Sequence, residues 1–192
     1  MKEEIVMMID IETLSLNLNA HITQVGYATA HLPTRKYLTT PCNLWISPIG
    51  QEKADRNFET IRWWMKQKPE TIQHVLFPHP RQKLHTVPEL GNVLKYEYDF
   101  WVQRDKEMTI WASPSNFDFP VLAYATQGRP WPYFQERCLM SLAKCLDPNS
   151  ELKPQKPELE HDAASDVAEQ MEYLFRLYDK LHPRKEDGNG NV

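Results

Sequence analysis

Ile5-Val6-Met7-Met8-Ile9-Asp10-Ile11-Glu12 is the stretch from which the rest of this chain can be read. Residues 5–9 form a continuous apolar run of the length and type expected for a strand buried on both faces. Asp10 then falls at the end of that strand. Side chains two apart on a strand share a face, so Asp10 and Glu12 point the same way with Cα atoms roughly 7 Å apart. Like charges at that spacing repel, and beside an apolar core they also lose hydration. Carboxylates so placed take up protons or coordinate a cation. The competing reading is a strand that ends in solvent with ordinary surface acids, because Asp-x-Glu is a common tripeptide.

Two further acidic islands bear on that choice. Residues 108–112 are a second short apolar stretch, Ser113-Pro114-Ser115-Asn116 reads as a turn, and Phe117, Val121, Leu122, Tyr124 and Ala125 recur as on a helix. Asp118 therefore sits in a first helical turn, where the helix dipole alone would favour it by about 0.3–1 kcal/mol. The strongest helical pattern is Val167, Met171, Leu174, Phe175, Tyr178 and Leu181, preceded by the capping-type residues Asp162 and Ser165. Asp166 falls in the first turns of that helix and His161 in the incoming loop, so the carboxylate is fixed while the imidazole can swing. A lone His before a helix is more often a surface or capping residue.

Between these islands the chain is continuous and shows no internal repeat. Residues 22–30 and 38–46 read as second and third strands, giving an antiparallel meander with the first. Helices are expected over 57–68, from Pro69 onward, and from the Thr86-Val87-Pro88-Glu89 cap through about Arg104. Strand 108–112 rejoins the sheet beside the first, helix 116–127 ends at Gly128, and 138–146 is helical. The segment 147–160, with three prolines and many charges, is a loop able to carry His161 in and out. One domain over 1–182 and a disordered tail over 183–192 complete the expected organisation.

Composition narrows the class. A chain of 192 residues with 41% hydrophobic and 25% charged residues suits a single globular domain with a sizeable core. No apolar run reaches the length of a membrane span, and the start Met1-Lys2-Glu3-Glu4 lacks a signal-peptide pattern. The expected compartment is the cytoplasm of a bacterium, or of the host if the protein is phage-encoded. Cys42, Cys138 and Cys145 make neither a disulfide framework nor a Cys-x-x-Cys knuckle; Cys138 and Cys145, seven apart, are expected to share a buried helix face. A formal charge of −4 argues against a generic basic DNA-binding surface.

An acid pair after the first strand, an acid opening a middle helix and His-x4-Asp opening the last helix resemble, in that order, the DEDDh 3′–5′ exonucleases over most of the chain. Within that superfamily the sequence is similar to the small bacterial and phage branch, exoribonuclease or exodeoxyribonuclease VIII-like, whose first motif reads Asp-Ile-Glu-Thr-Leu and which carries a Trp-Trp-x-x-Gln helix. Here these are Asp10-Ile11-Glu12-Thr13-Leu14 and Trp63-Trp64-Met65-Lys66-Gln67. The resemblance implies a ribonuclease-H-like α/β fold, an antiparallel meander extended by parallel strands and flanked by helices. It implies Asp10, Glu12, Asp118 and Asp166 as metal carboxylates and His161 as general base. It also sets Thr13 and Leu14 against a terminal nucleotide, with Asn116 and Phe117 nearby.

Oxygen ligands without Cys suit two ions of Mg²⁺ or Mn²⁺, which also take water and phosphate oxygens. Asp10 would bridge them, Glu12 and Asp166 would complete one, and Asp118 would hold the other through water. An imidazole with an ordinary pKa of about 6.5 suits proton abstraction near neutrality. The implied partner is nucleic acid with a free 3′ end, single-stranded or as an overhang, and the implied product a nucleoside 5′-monophosphate; DNA and RNA both stay open. Arg56, Arg62, Lys66 and Lys68 surround Trp63 and Trp64, and bases can stack on an exposed indole for about 1–3 kcal/mol. Adjacent helical residues face about 100° apart, so one Trp can be buried while the other, with Trp64 and Gln67 as candidates for substrate contact, reaches a ligand or a second copy in a homodimer. Two alternatives remain open: a catalytically idle nucleic-acid-binding module, and a phage factor that binds a host protein through Trp63-Trp64 and the Pro-rich loop.

Overall fold

The apolar run 5–9 is the inside of a longer strand. In the computed structural model, which describes residues 4–104, 106–157 and 159–183, the first strand β1 spans Glu4–Thr13. Asp10 and Glu12 therefore stand within the strand and not at its end as expected, because the pairing with its neighbour continues through Glu12 and Thr13. The rest of the expected tail, from residue 184, lies outside the described residues. In chain order follow β2 (Ile22–His31), β3 (Lys36–Ile46), α1 (Phe58–Trp64), α2 (Pro69–Leu76), β4 (Leu84–His85), α3 (Val87–Val102), β5 (Glu107–Ala112), α4 (Ser115–Ala125), β6 (Glu136–Cys138), α5 (Leu139–Leu146) and α6 (Ala163–Leu181).

The six strands form one sheet in the order β4-β3-β2-β1-β5-β6. The β1-β2-β3 meander is antiparallel, whereas β5, β6 and β4 join it in parallel. This is the ribonuclease-H-like mixed sheet that the motif order implies. Strand alternation divides the core into two layers. Ile5, Met7, Ile9 and Ile11 pack with Leu90 and Leu94 of α3 and Val121 and Leu122 of α4. Val6 and Met8 pack on the other side with Leu139 of α5 and Val167, Met171 and Leu174 of α6. Each such side chain, fully buried, contributes about 1.5–3 kcal/mol. Asp10 and Glu12 continue the even-numbered row and so belong to the layer of α6.

Caps set the helix starts. Asn57 accepts from the amides of Glu59 and Thr60 at α1, and Thr86 forms a capping box with Glu89 at α3. Helix α1 stops at Trp64, short of the expected 68; Lys68, held extended by the following Pro69, already caps α2. Cys138 closes β6 and caps α5 while Cys145 is exposed, so the two do not share a buried helix face. The expected helix over 138–146 begins one residue late because its first residue pairs with β5. Among the described residues no helix is long and apolar enough to cross a membrane.

Candidate active site

The face of β1 that carries Asp10 and Glu12 is built across three strands. Asp10 pairs with Gly26 and Glu12 with Gln24 on β2; Gly26 pairs in turn with Asn43, and Gln24 with Trp45, on β3. Gly26 lets the start of α6 come onto this face: a Cβ there would lie 2.3 Å from the Ala163 carbonyl carbon and oxygen. Gln24 and Asn43 then fasten the helix, their side-chain oxygens accepting from the amides of Ala163 (2.9 Å) and Ala164 (2.7 Å). Both satisfy amides that a helix leaves unpaired at its first turn.

Asp162 ties the same knot. Its Oδ1 accepts from Gln24 (3.2 Å) and Asn43 (2.6 Å) and lies 3.0 Å from Nε2 of His74 on α2. Its Oδ2 accepts from the amide and hydroxyl of Ser165. Trp45 donates its indole N–H to the His74 carbonyl, so α2, the sheet and α6 are pinned at one point. Immediately before this anchor, His161 has a left-handed backbone, φ 63°. Its ring lies edge-on to Trp63 at 4.8 Å, and its amide bonds the Asp166 carboxylate.

Asp10, Glu12, Asp118, His161 and Asp166 all line one cleft of about 580 Å³. Glu12, His161 and Asp166 each place a ligating atom within 4.8 Å of the others. Asp118 comes in from α4, and its Oδ2 is buried with no hydrogen-bond partner among the described residues. Burial raises the proton affinity of all four acids. Asp10 and Glu12 are held well above the usual carboxylate range by desolvation and then by the neighbouring acids, Asp118 and Asp166 for Asp10, Asp10 and Asp166 for Glu12. Desolvation also lifts Asp118 and Asp166 to about 7 each. His161 is shifted the other way, below its ordinary value, because burial disfavours the imidazolium. This is a neutral base beside acids that lack counter-charge.

The expected nucleotide-contact residues divide. A second, more apolar recess of about 460 Å³ shares Ile11, Glu12 and Phe117 with the cleft and is also lined by Thr13, Leu16, Trp63 and Trp64. Thr13, Phe117 and Trp64 thus reach the site. Trp64, however, is 1% exposed with its N–H on the Thr13 carbonyl, and Trp63, 41% exposed, offers the open ring. Leu14 does not line either space; its backbone is held by His21 and Asn57, and the neighbouring Leu16 projects instead, 76% exposed. Gln67 caps the end of α1 through the Trp63 carbonyl, and Asn116 is exposed on α4; they too lie off both spaces. Arg56, Arg62, Lys66 and Lys68 are likewise absent from the walls of both.

Sequence reading missed Gln170, whose amide donates to Oδ1 of Asp10 at 2.8 Å. Its spacing of four from Asp166 on a helix was the available signal, since residues four apart share a helix face. Gly26, Gln24, Asn43 and His74 carry no such local mark.

A buried acid row on β1, an acid on α4 and a His-acid pair at the start of α6 thus meet in one cleft of a ribonuclease-H-like sheet. Residues 6–177 match the family described as 3′–5′ exoribonuclease Rv2179c-like domain, and the chain belongs to that family. No curated protein matches the sequence. Among solved structures the chain is similar to product-bound exonuclease I, with 15% identity and a TM-score of 0.62 over 94% of this chain and 46% of that one. It is also similar to the cell-death related nuclease 4, CRN-4 (12%, 0.55, 90% and 62%). A third likeness is to a 3′-exonuclease described in 3′-end recognition of a histone mRNA stem-loop (9%, 0.51, 90% and 81%). At these identities the likeness is one of fold, and the chain spans less than half the length of the exonuclease I structure.

Proposed function

We propose that this protein is a metal-dependent exonuclease that removes nucleoside 5′-monophosphates from the 3′ end of single-stranded nucleic acid. The observation that carries the reading is the buried, unpartnered Oδ2 of Asp118, which shares one cleft with three more acids of elevated proton affinity. A buried oxygen without a donor costs free energy unless a cation or an ordered water takes it. The donor set is all carboxylate oxygen, which fits Mg²⁺ or Mn²⁺. Asp10, Glu12, Asp118 and Asp166 would hold two such ions. Bound there, the cations would neutralise the cleft, bring a phosphate into it and supply Lewis acidity to the scissile group.

The chain's own groups do the rest. Gln170 orients the Asp10 carboxylate toward the cleft. His161, held neutral by its burial and braced edge-on by Trp63, accepts the proton of the attacking water. Thr13, Leu16, Trp63 and Phe117 enclose the terminal nucleoside in the apolar recess, which continues directly from the acids. RNA is the proposed substrate because the family's description specifies an exoribonuclease.

Matched RNA and DNA oligonucleotides, labelled at the 5′ end and incubated with Mg²⁺ or Mn²⁺, test this. The expected result is a ladder shortening one nucleotide at a time from the 3′ end, faster on RNA and abolished by EDTA. Binding without any product would place the protein among idle binding modules.

A further inference from the structure

The acidic cleft has one side that the mechanism above does not use. Its walls are α5 and the strap of chain that follows it, and they carry Lys144, Lys153 and Lys156. The strap is fastened. Asp147 is buried and accepts from the amides of Glu151 (3.0 Å) and Leu152 (2.9 Å) and from the Tyr173 hydroxyl (2.8 Å). Arg176 of α6 donates to the Leu152 carbonyl and Lys180 to that of Leu146. Lys153 and Lys156 each precede a proline, Pro154 and Pro157, which confines their backbone to extended conformations. The ammonium groups are therefore presented along one wall from a backbone that is already set.

We infer that Lys144, Lys153 and Lys156 form a trough for the phosphates of the strand upstream of the cut. The inference rests on the exonuclease reading and gives it a direction. A 3′-terminal nucleoside has no further phosphate beyond it, so an apolar recess suits it. The remaining strand carries one negative charge per nucleotide, so its path needs cations. Glu12 adjoins both environments, because Ile11, Glu12 and Phe117 are common to both spaces, and the other acids share its cleft with the lysines. In the free protein Lys153 lies 3.7 Å from Glu169 and Lys156 2.7 Å from Glu160. In both pairs the lysine is exposed, so phosphate oxygens can replace the carboxylates.

The test uses the full chain and a fluorescent twelve-nucleotide RNA, with affinity measured in Ca²⁺ across a range of KCl. Each lysine on a single strand contributes about 0.7 to the slope of log affinity against log salt, or about fivefold in affinity near 0.1 M. The triple variant Lys144→Gln, Lys153→Gln, Lys156→Gln is expected to bind about 100-fold more weakly with a slope shallower by about 2. Lys→Arg at the same positions should restore both. A control with equal charge change, Lys36→Gln, Lys53→Gln, Lys83→Gln, should leave them unchanged, since none of these lines the cleft. In turnover with Mg²⁺, KM for the twelve-mer should rise in the triple variant while hydrolysis of a dinucleotide stays within about twofold, because a dinucleotide has no upstream strand to hold. Equal affinity and slope in the wild type and the triple variant, or an equal loss in the control, overturns the trough. Lysine-dependent binding without turnover in the wild type leaves the trough standing and overturns the exonuclease reading.

Discussion

Asp118 and Asp162 are the same residue type at almost the same depth, 3% and 4% exposed, and their surroundings could hardly differ more. Asp162 is saturated: Gln24, Asn43 and His74 meet one oxygen, and the amide and hydroxyl of Ser165 meet the other. Asp118 keeps one oxygen bare among acids. A buried carboxylate with all its acceptors filled belongs to the framework, whereas one left open marks where an outside charge is to be placed. Depth alone does not separate scaffold from chemistry; the donor inventory does.

The sharpest way to break this contrast is to remove the charge on each side. Asp118→Asn should lower turnover roughly 10³–10⁵-fold, because metal charge stabilisation is worth several kcal/mol in the transition state, while thermal stability is kept or raised. Asp162→Asn should instead lose about 2–4 kcal/mol of stability as an amide N–H₂ replaces an acceptor among donors, with melting lowered by roughly 2–4 °C per kcal/mol. Steady-state kinetics and differential scanning calorimetry on both variants decide it; matching profiles would erase the distinction.

Next in size is His161→Gln, expected to cost about 10²–10⁴-fold in kcat with KM little changed, as for loss of a general base. In the wild type, kcat should fall only on the acid side, below the ordinary imidazole range, since burial lowers the proton affinity of His161. A smaller loss comes from Gly26→Ala, which tests the anchor from the strand side. The added methyl must displace the Ala163 carbonyl, so about 1–3 kcal/mol of stability should go, and turnover with it as His161 shifts.

The last effect is one of pH. Asp118 and Asp166, lifted from 3.8 to about 7, bind protons more tightly folded than unfolded. Their protonation therefore stabilises the metal-free protein fully below about pH 4, and that stability is lost as pH rises toward about 7. Measured in EDTA, the melting advantage of Asp118→Asn over wild type should grow across this window and level off above it. Mg²⁺ should raise the wild-type melting point more at pH 8 than at pH 5.5, because the ligands must first lose their protons.

Much of the candidate site was legible because the residues the cleft brings together are marked locally. Asp10 and Glu12 announce themselves by following an apolar strand, Asp118 and Asp166 by opening helices, and the capping box at Thr86 by its spacing. Strands β4 and β6, two and three residues long, are too short for any periodicity to show, and they exist because neighbouring strands supply partners. The choice between Trp63 and Trp64 depends on which side of α1 meets β1, a tertiary fact that adjacent indoles do not encode. Gly26, Gln24 and Asn43 serve residues more than a hundred positions away, and nothing near them in the chain records that.

The position of β1 has one more consequence. It runs through the interior of the sheet, between β2 and β5, whereas His161 sits on a left-handed residue in a connection. Backbone amides at the centre of a sheet exchange with solvent only on global opening, while connections open far more often. Under mild denaturant, catalytic competence should therefore decay ahead of deuterium uptake at Val6, Met7 and Met8, where β1 is flanked by both neighbours. The protein would pass through an inactive but still folded population before it melts.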